Sequence, residues 1–294
     1  MGVQEGGDLG TGPGTFERPG RALIGWLPED RATALLRGGR EDPGADEAQL
    51  IQSAHESAAA REPVEAETDV VRNVDPALDG HVREVVATEG GAAMLAEGWE
   101  VKLVDLRRVR GAQPVVFSDE AEARVADIDP QDIVSIAQVT LPMPQPTELP
   151  AQFDEAQRAW IFSSPNPNLK IVGHFGAELQ PGVMGFGFIV RLLPSFLSVA
   201  LFEGKPILRD GYHRAYGLLR RGIHVVPAFV REVPSIEAIG FPQGMVAQEL
   251  YLGSQPPRLP DYLDDDVAAD LVQPVAQKML VIHGLEITPI AQNR

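Results

Sequence analysis

The stretch Val199 to Val230, VALFEGKPILRDGYHRAYGLLRRGIHVVPAFV, constrains the fold more than any other part of the chain. Apolar alternation, a two-residue turn, a polar corner and a helical repeat follow one another in it without a gap. The pattern predicts two strands joined at Glu203 and Gly204, a corner at Asp210 to Arg214, a short helix and a third strand. Ala215, Leu218 and Leu219 supply the buried face of that helix, and Gly222 ends it as a C-terminal glycine does. Strands and a short helix in one continuous stretch point to a chain of the α/β (α+β) class.

The corner is the densest polar cluster on this apolar frame. A strand delivers the chain to Gly211, a residue free to take a positive φ, and a helix starts at once. The first amides of a helix have no internal partner and carry the positive end of its dipole, which makes the Gly211, Tyr212 and His213 amides a candidate anion site. Arg214 adds a planar guanidinium suited to phosphate, and His213 adds a titratable donor. Asp210 has three readings: a helix cap, a magnesium ligand, or the base that takes a proton from an attacking hydroxyl. Tyr212 and Tyr216 read as packing or wall residues. Arg209, Arg220 and Arg221 lie close in sequence, the last two also being explained by the helix C-terminus.

Charge sets the scale of the partner. The formal net charge is −17, and counting along the sequence gives −13 for residues 1–130, 0 for 131–240 and −4 for 241–294. A neutral middle between acidic flanks suits one phosphate group and argues against direct binding of DNA, which needs a basic face. The acidic flanks are candidates for contact with a protein partner. The chain has no cysteine, so disulfides, thiolate metal sites and cysteine catalysis are excluded. The start, MGVQEGGDLGTGPG, lacks the basic region and apolar core of a signal peptide, and Gly6 stands where a myristoylation motif wants Ser or Thr. The longest apolar run, Val183 to Leu193, is interrupted by glycine and is short for a membrane span. The expectation is a cytoplasmic protein.

Along the chain, residues 1–20 read as a flexible tail and 21–98 as an accessory helical region, with helical patterns at Arg31 to Leu36, Glu47 to Arg61 and His81 to Leu95, the last broken at Gly90 and Gly91. His55 has no second ligand at helical spacing and reads as an ordinary helix residue. Residues 99–235 form the central unit. Within it Glu100 to Leu106 and Pro114 to Phe117 read as strands, Ser118 to Val125 as a helix with acids near its start, Ile133 to Leu141 as a strand and Asp154 to Phe162 as a helix carrying Trp160. Arg107, Arg108 and Arg110 read as a solvated strand end or a phosphate contact. The glycines of Ile171 to Phe188 read as irregular turns, since no Walker lysine or Rossmann spacing accompanies them. Residues 236–294 form an acidic, proline-rich extension with a solvated run at Asp264 to Asp266, which lacks calcium-loop spacing, and a strand-like piece at Lys278 to Ile290.

A strand ending in Asp-Gly-x-His-Arg, a two-turn helix, a glycine and a strand of the form Val-Pro-x-x-Val resemble the ParB/sulfiredoxin superfamily. The resemblance covers Val199 to Val230, and by extension residues 100–235. It implies a small α/β domain that holds nucleotide phosphates at Gly211, Tyr212, His213 and Arg214, with Asp210 and His213 as catalytic candidates and Asp210 as the magnesium ligand. The family includes partition proteins that hydrolyse CTP, sulfiredoxins that use ATP and a kinase that phosphorylates free serine from ADP or ATP. The missing cysteine removes sulfiredoxin chemistry. Asp210, His213 and Arg214 match the serine kinase motif position by position, and Glu178 and Asp105 are candidates for its further acidic residue. Partition proteins carry a glutamate and a second arginine here and a basic helix-turn-helix region, from which the acidic 236–294 segment departs. The resemblance therefore implies ATP, ADP or CTP with magnesium as ligand, a small hydroxyl-bearing compound as possible acceptor, and either a phosphotransferase or nucleotide hydrolase, a non-enzymatic regulatory or DNA-associated module, or a fold that has lost the chemistry.

Overall fold

Glu203 and Gly204 take φ of 50° and 74°, the two positive angles of a tight hairpin turn whose twist matches that of its strands. The computed structural model describes residues 16–38, 45–64, 69–144, 151–164, 169–192, 195–275 and 278–283. In chain order the strands are β1 (Phe16–Ala22), β2 (Val71–Arg72), β3 (Glu100–Asp105), β4 (Val115–Phe117), β5 (Ala151–Asp154), β6 (Ala159–Ser164), β7 (Leu169–Gln180), β8 (Val183–Leu192), β9 (Ser198–Phe202), β10 (Lys205–Asp210), β11 (Val225–Glu232), β12 (Ala269–Val275) and β13 (Lys278–His283). The helices are α1 (Glu29–Arg37), α2 (Ala45–Ala59), α3 (Asp79–Ala87), α4 (Glu89–Ala96), α5 (Ser118–Val125), α6 (Ile133–Thr140), α7 (Tyr212–Arg220) and α8 (Gln248–Tyr251). The fold is α+β.

The central sheet has the order β10-β9-β11-β3-β2. β10 runs antiparallel to β9, whereas β11 returns through α7 to lie parallel to β9 on its other side. β3 closes antiparallel on β11, from Val225 opposite Asp105 to Val230 opposite Glu100. Buried Ile207, Leu208, Val199, Val226, Ala228 and Phe229 fill the faces of these strands. At the end of α7, Gly222 (φ 74°) lets the Ile223 amide reach back to the Leu218 carbonyl at 3.0 Å, closing the orphan carbonyls of the last turn.

A second sheet, β12-β1-β4, sets the first described strand between β4 and the late strand β12. Phe16 to Ala22 pair in register with Val275 to Ala269, which corrects the expected tail for residues 16–20; residues 1–15 lie outside the described residues. Pro19 weakens the strand signal; it pairs with Val272 of β12, but β4 pairs only from Gly20 onward, so on that side Pro19 has no ladder partner. A Cβ on Gly20 would stand 2.8 Å from the Val116 carbonyl oxygen, so the close approach of β1 and β4 needs glycine. One apolar core runs from Ala22, Ile24, Ile51 and Val85 through Leu106 and Val199 to Tyr262 and Leu271, unbroken across positions 98 and 235.

Four local expectations are overturned. Ile133–Thr140 is a helix, not a strand: the Asp132 carboxylate accepts the Val134 amide at 2.9 Å, and Ile136, Ala137 and Thr140 are buried on one face, so a cap and helical burial outweigh β-branched propensity. Ala151–Asp154 and Ala159–Ser164 form a hairpin rather than a helix, turned by the Asp154 carboxylate accepting the Gln157 amide at 2.9 Å and by Arg158 at φ 51°. The glycine-rich stretch is the long hairpin β7-β8, with glycines seated beneath cross-strand side chains. The break between α3 and α4 falls at Thr88, whose hydroxyl caps the Gly91 amide, and not at Gly90 and Gly91.

The other helical expectations stand. The remaining basic and acidic runs serve the fold. Buried Arg110 donates to the Tyr251 and Gly253 carbonyls, which corrects its reading as a solvated strand end. Arg21 reaches Asp265 and Asp270, and Arg61 reaches Asp261 and Asp264, so much of the acidic run near residue 265 is paired. His55 Nε2 meets the Leu27 carbonyl at 2.8 Å. Residues 284–290 of the expected last strand lie outside the described residues. No helix among the described residues is long and apolar enough to cross a membrane.

Candidate functional site

β10 ends at Asp210 and α7 begins at Tyr212, with Gly211 alone between them at φ 99°, ψ 21°. A Cβ on Gly211 would lie 3.0 Å from Leu197 Cα. Both the left-handed angle and the backbone of Leu197 therefore demand glycine. No side chain caps the helix. Its first internal bond runs from the Ala215 amide to the Gly211 carbonyl at 2.9 Å, so the Tyr212, His213 and Arg214 amides precede the helical ladder and point outward from it.

Asp210 spends one oxygen on the amide just before the helix: Oδ1 accepts from Gly211 N at 2.6 Å. This pins the turn but leaves the helix amides unused, so Asp210 is not the cap of α7. The residue remains in contact with solvent. Even so, the protein packed around its carboxyl raises the pKa, and the pull of Arg214 offsets only part of that rise.

Arg214 is 5% exposed. Its Nη1 donates to Ser195 Oγ at 3.2 Å, and no carboxylate among the described residues forms an ion pair with it. Burial, reinforced by repulsion from Arg124, pushes its pKa down to about 10, against the attraction of Asp210 and Glu120. The guanidinium is thus hydrogen-bonded to a hydroxyl rather than ion-paired, and Asp210 and Glu120 offset its charge only from beyond ion-pair distance.

His213 faces the other way along the helix. Its ring stacks on Phe117, with centroids 5.8 Å apart and planes 9° from parallel. Nδ1 lies 3.7 Å from Glu120 Oε1, while Nε2 is buried and has no hydrogen-bond partner among the described residues. Burial holds the imidazole below its ordinary pKa, Glu120 working in the opposite direction. Glu120 is itself shared: Arg18 Nη1 donates to Oε2 at 3.1 Å and Arg124 Nη2 to Oε1 at 2.8 Å. Burial raises the Glu120 pKa, but His213, Arg124 and Arg18 together bring it below its ordinary value.

Asp210, Gly211, His213 and Arg214 lie at one corner with the amides as the common feature, but the His213 ring is stacked on Phe117 with Nε2 buried, so its amide and not the expected ring donor faces the site. Tyr212 contributes through its amide alone: its side chain is buried, its hydroxyl donating to the Leu208 carbonyl at 2.5 Å and accepting the Ala112 amide at 3.0 Å. Tyr216 packs edge-on to Tyr262. Arg209 donates to the Ile239 carbonyl and lies over the Trp99 ring, Arg220 lies over Tyr216, and Arg221 reaches the Ala126 carbonyl.

Neither candidate for the further acid reaches the corner. Asp105 sits three strands from β10 and four residues along the register from the row of Asp210, Ser198, Phe229 and Val101, with its carboxylate held by Arg107 at 2.9 and 2.7 Å. Glu178 is on the separate two-stranded sheet. The residues that do border the corner and were not legible in the sequence are Ser195, Glu120 and Arg124. Their separations in the chain carry no motif.

The described residues contain no group of three or more His, Asp or Glu side chains able to hold a metal by themselves. Asp210 Oδ2, free of hydrogen bonds among the described residues, fits a magnesium ion bound in the usual way, by one carboxylate and the phosphates it accompanies. Comparison with protein-family models, curated proteins and solved structures returns no match.

Proposed function

We propose that the corner Asp210 to Arg214 holds the phosphates of a nucleotide, and that the chain is a ParB/sulfiredoxin-like nucleotide-binding protein acting as a phosphotransferase or nucleotide hydrolase. The observation that carries this reading is the buried Arg214 guanidinium, with no ion-paired carboxylate among the described residues, on the first turn of an uncapped helix. A phosphate supplies the charge that Arg214 lacks and accepts the three outward amides. ATP, ADP or CTP is the ligand class, and magnesium held at Asp210 Oδ2 would neutralise charge on the phosphates.

Transfer at this site asks for positioning and charge neutralisation. The hydroxyl oxygen of water or of a small acceptor forms a bond to the terminal phosphorus, the bridging phosphorus–oxygen bond breaks, and the hydroxyl proton passes to Asp210. A carboxyl with a raised pKa is suited to take it, and this role is the alternative to holding magnesium, which would keep Asp210 ionised. A second reading, a regulatory module that binds nucleotide without turnover, is favoured by His213, whose sealed Nε2 puts the ring behind the site rather than in it.

Calorimetric titration of the full chain with ATP, ADP and CTP, with and without magnesium, tests the site, and phosphate release and transfer to small hydroxyl compounds test the chemistry. Binding that is lost in Arg214→Ala is expected. Absence of binding, or binding unchanged in Arg214→Ala, overturns the assignment. Binding without turnover selects the regulatory reading, and retardation of duplex DNA at physiological salt restores a DNA-associated role.

A further inference from the structure

A hydroxyl, not an apolar side chain, meets the buried Arg214 guanidinium. Ser195 Oγ accepts from Arg214 Nη1 at 3.2 Å, and the residue is half-buried beside the start of α7. In that bond the guanidinium gives a proton and takes none, so the serine proton stays available for transfer. The segment that carries the hydroxyl is fixed along the corner. The Leu197 amide donates to the Thr140 carbonyl at 2.8 Å, the Phe229 amide donates to the Leu197 carbonyl at 3.0 Å, and Leu197 Cα abuts Gly211. One residue further on, Ser198 stands opposite Asp210 in the register of β9 and β10. Ser195 and Asp210 therefore border the same turn.

We propose that Ser195 is a phosphorylation site filled in cis: the nucleotide held at the corner hands its terminal phosphoryl group to Ser195 Oγ, and the phosphoserine then occupies the anion site. The inference rests on the nucleotide reading above and names an acceptor for it. Ser195 Oγ forms a bond to the terminal phosphorus of a nucleoside triphosphate and the bridging phosphorus–oxygen bond breaks. The nucleoside diphosphate leaves with that electron pair, and the hydroxyl proton passes to Asp210 acting as base. The product carries a charge of about −2 and three acceptor oxygens, attached to the oxygen that already receives the Arg214 proton. It supplies the directly paired anion that Arg214 lacks among the described residues. A separate kinase is a poor donor, because it has to draw the residues around the serine into its own cleft, and here Phe196, Leu197 and Ser198 are buried, the last within β9. A chain phosphorylated at Ser195 has its anion site filled by its own side chain, so transfer stops at a single phosphate and nucleotide affinity falls.

The full chain is incubated with magnesium and ATP or CTP labelled in the terminal phosphate, and the label is located by peptide mass spectrometry. A single phosphate is expected, on Ser195, formed with a rate constant independent of chain concentration and absent from Ser195→Ala. The phosphorylated chain, separated from the unmodified one, is expected to bind nucleotide roughly tenfold more weakly or worse. A chain that binds nucleotide but takes no phosphate on Ser195 overturns the inference and leaves the nucleotide reading standing, whereas a chain that binds none brings down both. Label on another residue, a rate constant that rises with chain concentration, or undiminished affinity in the phosphorylated chain also overturns it. An arm without nucleotide tests the contact itself: Ser195→Glu is expected to raise the thermal midpoint in the wild-type background and not in Arg214→Met, and equal shifts in the two backgrounds overturn the placement of the phosphoserine at Arg214.

Discussion

Arg214 Nη1 and Ser195 Oγ are 3.2 Å apart, and this hydrogen bond joins a buried cation to a neutral hydroxyl across the mouth of α7. A fold seeking stability alone would place an apolar side chain there, since a buried charge without a directly paired counter-charge costs free energy that a hydrophobic isostere does not. Arg214→Met is therefore expected to leave the thermal midpoint equal or higher while removing a charged contact to phosphate of about 1.5–3 kcal/mol, roughly ten- to a hundredfold in Kd. Differential scanning fluorimetry beside calorimetric titration checks both halves. A lower midpoint with unchanged affinity would make Arg214 a structural residue.

Asp210 carries the opposite sign of strain. Its folded pKa is raised above the ordinary 3.8, so the ionised carboxylate is less stable in the fold than in the unfolded chain. Its favourable contribution is present below that ordinary value and is lost as the pH rises through the folded pKa. Asp210→Asn is thus expected to gain stability relative to wild type as the pH is raised from about 3.8 toward neutrality, and to abolish turnover. Urea denaturation at a series of pH values gives the first, phosphate release the second.

His213 has a lowered pKa, and the linkage runs the other way. The neutral ring is favoured in the fold, so its contribution is complete above the ordinary 6.5 and is lost as the pH falls through the lower folded value. Replacing it by glutamine, which does not titrate, is expected to flatten the stability profile on the acid side of 6.5. A profile that keeps its slope in His213→Gln assigns the titration to another group.

Gly211→Ala tests the turn. A left-handed angle and a 3.0 Å approach to Leu197 Cα together are expected to cost about 1–3 kcal/mol and to displace the helix amides, weakening nucleotide binding. Gly222→Ala is the control: φ is 74° there too, but nothing lies within 4 Å of the added Cβ. It is expected to cost less and to leave binding unchanged. Chemical denaturation and titration of the pair separate backbone strain from loss of the site.

What the sequence by itself determined is local. The order strand, turn, strand, corner, helix, strand from Val199 to Val230 is legible because each step has its own short-range cause: alternation, paired positive angles at Glu203 and Gly204, a glycine between strand and helix, and a glycine after it. The corner residues Asp210, Gly211, His213 and Arg214 were legible for the same reason, since neighbours in sequence are here neighbours in space. Where local signals conflicted, the reading failed. Ile133 to Thr140 has the side chains of a strand, and only the surface that buries Ile136, Ala137 and Thr140 makes it a helix. Phe16 to Ala22 has proline and glycine in it and becomes a strand through its pairing with residues 269–275.

Only the tertiary structure decided which other side chains meet the corner and in what state. Glu120 is ninety-three residues from His213, yet the packing of α5 on α7 sets them 3.7 Å apart. Ser195 becomes the partner of Arg214 because the segment leading into β9 passes the end of β10. Partners and packing then separate groups that look alike in sequence: buried Asp105 is held ionised by Arg107 while Asp210, at the solvent, is pushed up by the protein around its carboxyl, and of the neighbours His213 and Arg214 one ring is stacked on Phe117 while the other side chain is hydrogen-bonded to Ser195. Charge identity is written in the chain, but desolvation and distance depend on everything packed around each charge, and those are properties of the fold.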